Sequence, residues 1–135
     1  MRTSFIAAVA LVACAAGNPT IHMTTAQGIP AAEGTVRASH ASNQNTALDI
    51  EVKHLALPAR VAPGATTYVV WSLARGQDTP QNLGALRVDD DLKGTLKTVT
   101  PLRTLDVFIT AEPTQTGDRP TGQRLLFASV DLAAG

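Results

Sequence analysis

Sulfur chemistry is almost absent from this chain, whose single cysteine is Cys14. One thiol excludes an internal disulfide and any zinc site built from several thiolates. Aromatic residues make up only 4% of the sequence, so a core has to be assembled mainly from Val, Leu, Ile and Ala. Charge of either sign is sparse, and Lys+Arg 11 balances Asp+Glu 11. Without a basic excess there is no electrostatic footprint for phosphate neutralisation, which argues against nucleic acid as a partner. Long hydrophobic runs are missing too. The run Phe5 to Ala13 is too short at about 1.5 Å per residue to cross a hydrocarbon layer about 30 Å thick.

What is present is a globular composition: 135 residues, 44% hydrophobic, with room for one ordinary domain. The N-terminus reads as a signal peptide over residues 1–13, with Arg2 ahead of the apolar run. That run ends Leu11-Val12-Ala13-Cys14, which resembles a bacterial lipobox. The resemblance implies cleavage before Cys14 and acylation of its thiol, so that membrane lipid becomes a partner. Each buried CH2 of an acyl chain contributes about 0.8 kcal/mol, and two or three chains hold a small domain at a bilayer. Ordinary cleavage near Ala15-Ala16-Gly17, or a buried free thiol, are the alternatives; the position of the only cysteine favours lipidation. Ala15 stands where Asp would signal inner-membrane retention, which leans the expected location, a cell envelope facing the periplasm, toward the outer membrane.

Residues 14–33 are small and polar and lack sustained periodicity, so they are expected to form a flexible linker of roughly 25 Å. His22 and Met23 are its only soft metal-ligand candidates. A solvated linker histidine is the simpler account of His22, because copper sites need more ligands than this pair offers.

From residue 34 to 135 the period is that of strands. Ala47 to Lys53 alternates, with Leu48, Ile50 and Val52 on one face and Asp49, Glu51 and Lys53 on the other. His54 falls in phase with the apolar face, as a partly buried structural residue. Thr67 to Leu73 holds the only Tyr and the only Trp, with Val69, Trp71 and Leu73 on one face. Trp71, the largest apolar side chain, is taken as the centre of the core, with Tyr68 and Phe108 beside it. Leu83 to Val88 reads as the next strand. Asp89-Asp90-Asp91-Leu92-Lys93-Gly94 departs from a calcium loop at Lys93 and Thr100, and is expected to be a solvated hairpin turn with Gly94 at positive φ. Leu105, Val107 and Ile109 line one face of a further strand, whose polar residues Asp106 and Thr110 need no special role. Glu112 closes it, either as an acid with a perturbed pKa or, the preferred reading, as a carboxylate that accepts backbone hydrogen bonds and staples the neighbouring loop. About seven short strands separated by turns predict an antiparallel β-sandwich, all-β.

The pattern Tyr68-x-x-Trp71, Leu83-Gly84, the acidic turn closed by Gly94, Phe108-x-x-x-Glu112-Pro113 and Pro120-Thr121-Gly122 resembles the extracytoplasmic C-terminal domain of anti-sigma-K factors. The resemblance spans about residues 34 to 131 and implies an immunoglobulin-like sandwich. Those factors also carry a cytoplasmic sigma-binding domain and a transmembrane helix, and neither has a counterpart in these residues, so anti-sigma activity does not carry over. The sequence shows no Gly-x-Ser-x-Gly elbow, His-Glu-x-x-His or Gly-rich phosphate loop. The expectation is a non-catalytic sensory or protein-binding module without a cofactor, contacting another envelope protein. A periplasmic copper-handling protein is the alternative.

Overall fold

The computed structural model describes residues 20–26 and 31–132. The signal-peptide segment, Cys14 and the first residues of the linker lie outside the described residues. Two antiparallel five-stranded sheets face each other, as the alternating pattern predicts. The first has the order β1-β3-β4-β8-β7, with β1 Thr20–His22, β3 Glu33–His40, β4 Thr46–Lys53, β7 Arg87–Val88 and β8 Gly94–Thr100. The second has the order β2-β10-β9-β5-β6, with β2 Thr24–Thr25, β5 Thr67–Ala74, β6 Gln81–Ala85, β9 Thr104–Glu112 and β10 Leu126–Asp131. One helical turn, α1 Pro58–Val61, lies between β4 and β5.

The core between the sheets follows from strand alternation. Leu48, Ile50 and Val52 of β4 meet Leu105, Val107 and Ile109 of β9, and Tyr68 and Val70 of β5 join them. Full burial of such a side chain stabilises by about 1.5–3 kcal/mol. The Tyr68 hydroxyl leaves this core to donate to the Ala56 carbonyl at 2.6 Å, tying down the β4–β5 connection. Burial disfavours the phenolate and pushes the Tyr68 pKa up to about 12.

Residues Thr20 to Thr25, expected in the linker, are instead part of the sandwich. Ile21 pairs with Val36 and packs on the core, while Thr24 and Thr25 pair with Phe127 and Leu126. Met23, between the two short strands, is 7% exposed. Gly34 makes this possible, because a Cβ there would stand 2.9 Å from the Met23 sulfur and 2.8 Å from Leu126 Cδ2. One chain segment therefore closes the edge of the first sheet and caps part of the second.

Three further departures have local causes. The strand expected from Leu83 to Val88 breaks at Leu86, which is buried and donates its N–H to the Tyr68 carbonyl at 2.9 Å; β6 stays in the second sheet and β7 crosses to the first. His54 has φ 59, so the alternation skips it: His54 is exposed and Leu55 takes the buried place at 1%. In the β7–β8 hairpin the positive φ belongs to Leu92 (59°), not Gly94. Gly94 lies inside β8, where a Cβ would come within 3.0 Å of Leu55.

The sandwich has two distinct ends. One carries the turns 41–45, 75–80 and 101–103. The other carries the 54–66 connection, the acidic turn 89–93 and the long loop 113–125.

Candidate functional site

Trp71 is fully buried, but not between the sheets. On β5 the residues Tyr68 and Val70 point into the core, so Val69 and Trp71 project from the opposite face. There Val69, Trp71 and Phe108 form a second, smaller cluster with Leu73 against it. The sequence expectation that Trp71 centres the main core is thus corrected: Tyr68 belongs to that core, whereas Trp71 and Phe108 belong to its outer counterpart. Trp71 pairs with Phe108 on β9, which pairs with Phe127 on β10, so an aromatic row crosses three strands. Phe127 at its end is 42% exposed. The Arg124 guanidinium lies 4.2 Å from the centre of the Phe108 ring, a cation–π contact that covers it.

Loop 113–125 supplies the rest of the cover. Asn82 of β6 donates from Nδ2 to the Gln115 and Gly117 carbonyls, each at 3.0 Å, holding the loop across the sheet. At the start of the loop stands Glu112, only 3% exposed. Its Oε1 accepts from the Thr121 N–H at 3.0 Å and the Thr121 hydroxyl at 2.6 Å. Its Oε2 accepts from the Thr110 hydroxyl, and from the N–H groups of Thr121 at 3.0 Å and Gly122 at 3.2 Å. The Thr110 oxygen in turn accepts from Trp71 Nε1 at 2.9 Å. Indole, hydroxyl, carboxylate and loop backbone are therefore linked in series.

Burial pushes the Glu112 carboxyl up, but the hydrogen bonds from Thr110, Thr121 and Gly122 outweigh it and hold the group below its ordinary range. A carboxylate kept ionised, with both oxygens occupied, is suited to fastening a loop rather than delivering a proton. Thr110, fully buried, is the member of this site that sequence reasoning left without a role. The signal for it was its position two residues before Glu112, on the same strand face.

Beside the loop run two open grooves. One, of about 460 Å³, separates Asp78, Thr79 and Pro80 from Arg119 and Pro120. The other, of about 520 Å³, lies between residues 80–84 and 115–118. The first is lined by two prolines with Asp78, Thr79 and Arg119, the second mostly by uncharged polar residues with Pro80, Leu83 and Asp118, and loop surfaces of this kind are suited to contact with another chain.

Of the metal-ligand candidates, His22 is exposed and Met23 is buried against Gly34, and both border one open groove together with Glu33 and Glu51. His40 and His54 are both exposed, and among the described residues no three His, Cys, Asp or Glu side chains gather as a metal set. In the acidic turn, Asp89 Oδ1 accepts from the N–H groups of Asp91 at 2.9 Å and Lys93 at 3.0 Å, so this carboxylate is used to close the hairpin. Among the described residues no helix is long and apolar enough to cross a membrane. No family model matches the chain, and no curated protein matches it.

Proposed function

We propose that this chain is a lipid-anchored protein of the bacterial cell envelope, facing the periplasm, whose β-sandwich is a non-catalytic binding or sensory module for another envelope protein. The observation that carries the anchor is Leu11-Val12-Ala13-Cys14 at the end of a short apolar run, with the only cysteine where acylation requires it. The module reading is supported by the Glu112 site, whose carboxylate is saturated by loop donors and serves to shape a surface. The contact surface in this reading is the face formed by loops 75–80 and 113–125 with their two grooves. The resemblance to the outer domain of anti-sigma-K factors accords with a sensory role, without the sigma-binding part.

Cell fractionation of the wild type and a Cys14→Ser variant tests the anchor. The wild type partitions with membranes and the variant is released; a soluble wild type, or a variant still membrane-bound, contradicts it. Crosslinking in intact envelopes through a thiol placed at the exposed Asp118 tests the contact surface. A discrete adduct with one envelope protein supports the reading, and its absence removes it.

A further inference from the structure

The aromatic row on the outer face of the second sheet ends in an open patch. Trp71 and Phe108 are buried, but Phe127 is 42% exposed, with only the two-residue strand Thr24–Thr25 beyond it. The exposed Arg124 holds its guanidinium 4.2 Å from the centre of the neighbouring Phe108 ring. Stacking orients that group and leaves its N–H donors open, for Arg124 takes part in no ion pair among the described residues. The acids of this sheet face are otherwise engaged. Asp106 accepts from the Ser129 hydroxyl at 2.7 Å, Asp131 accepts from the Thr104 hydroxyl at 3.4 Å, and Glu112 is taken up by its loop donors. An exposed ring beside a fixed cation without a counter-charge is the complement of an apolar side chain flanked by carboxylates.

The chain carries that complement itself. Among the described residues the exposed large apolar side chains are Leu57, Val88, Leu92, Val99 and Phe127. Val88 and Leu92 belong to the acidic hairpin, and Leu92 directly follows Asp90-Asp91. Both aspartates are exposed and in no ion pair among the described residues. Lys53 and Lys93 beside them are drawn to Glu51, at 3.9 and 3.6 Å, while Arg87 and Arg60 stand outside the tip, on β7 and α1. The turn is already ordered, because the Leu92 N–H donates to the Asp89 carbonyl and the Leu92 carbonyl accepts from the Leu55 N–H, each at 3.0 Å. Docking it therefore costs little further ordering.

We propose that the Phe127–Arg124 patch is a docking surface for a second copy of this chain, whose acidic hairpin seats Leu92 on Phe127 and sets Asp90 and Asp91 against the Arg124 guanidinium. The proposal is independent of the acylation of Cys14. Met23 joins β1 to β2 and Leu86 joins β6 to β7, so the β1 and β2 edges share one side of the sandwich and the β6 and β7 edges the other. Phe127, beside β2, and the turn after β7 thus lie on opposite sides. The contact is head-to-tail, the patch of one copy meeting the turn of the next. One apolar contact with two exposed charge pairs is small, so the expected dissociation constant is weak, about 0.1–1 mM.

The test is sedimentation equilibrium of the exported chain carrying Cys14→Ser, so that no acyl chain contributes. At low salt the mean mass is expected to rise with concentration and to pass that of a dimer. Raising salt from about 0.05 M to about 0.5 M is expected to weaken the association several-fold. Arg124→Glu, and Asp90→Lys combined with Asp91→Lys, are each expected to remain monomeric. Their equimolar mixture decides the matter: the first variant keeps its turn and the second its patch, so together they form one contact and stop at a dimer. Phe127→Ser leaves Arg124 over Phe108 and is expected to weaken association about tenfold or more. A wild-type chain that stays monomeric through about 2 mM overturns the proposal. So does a mixture no heavier than its components, or self-association that Arg124→Glu or Phe127→Ser retains in full.

Discussion

The indole of Trp71 reaches the carboxylate of Glu112 through one hydroxyl, that of Thr110, which accepts from Nε1 at 2.9 Å and donates to Oε2. The three residues sit on the outer face of the second sheet, on neighbouring strands, and they fix both the aromatic row and the start of the loop that covers it.

Thr110→Val keeps the shape of this side chain and removes its hydroxyl. Trp71 Nε1 then has no acceptor there and Glu112 loses one donor, both in buried positions. The expected cost is about 1–3 kcal/mol in chemical denaturation. Trp71 is the only tryptophan, so its emission reports the site directly, and a shift in the folded-state spectrum is expected along with the stability loss. A variant within about 0.5 kcal/mol of wild type with an unchanged spectrum contradicts the series arrangement.

Glu112 makes stability depend on acid. Its folded carboxyl lies below the ordinary value of 4.5, so the unfolded chain binds the proton more readily. The stabilisation is complete above the ordinary value and is lost as pH falls through the lower folded one. Glu112→Gln removes this dependence. The stability difference between wild type and Glu112→Gln is therefore expected to be constant from neutral pH down to about 5 and to shrink below that. A difference that stays constant down to pH 2, or grows as pH falls, contradicts the sign.

The N-terminal strands are predicted to be part of the folding unit. Met23→Ala removes a side chain that is 7% exposed and is expected to cost about 2–5 kcal/mol. A chain beginning at residue 34 loses Ile21, Met23 and the edge pairing of both sheets, and is expected to unfold at a lower temperature than one beginning at residue 18. Equal melting temperatures for the two chains contradict this boundary.

How much of this was legible before the structure depends on the kind of interaction. Leu48, Ile50 and Val52 announced their face because polar residues alternate with them, and Leu105, Val107 and Ile109 did so through Asp106 and Thr110, although Phe108 interrupts the alternation. On β5 both faces are apolar, with Tyr68 and Val70 on one and Val69 and Trp71 on the other, and periodicity alone does not say which is inward. β1 and β2 are too short to show a period, and they owe their strand form to partners on β3 and β10. The end-of-strand position of Glu112 marked it as a loop staple, but its donors Thr121 and Gly122 are nine and ten residues away. His54 kept the phase of its strand in sequence and lost it in three dimensions, through a single left-handed residue that no pattern of hydrophobicity records.

The most direct test of the account is the intact mass of the protein extracted from the membrane fraction, measured beside a Cys14→Ser variant. The account predicts a chain that starts at Cys14 and carries added acyl mass, with both the added mass and membrane association lost in the variant. An unmodified chain that starts beyond Cys14 and is recovered in the soluble fraction would contradict it, leaving a sandwich with no lipid anchor.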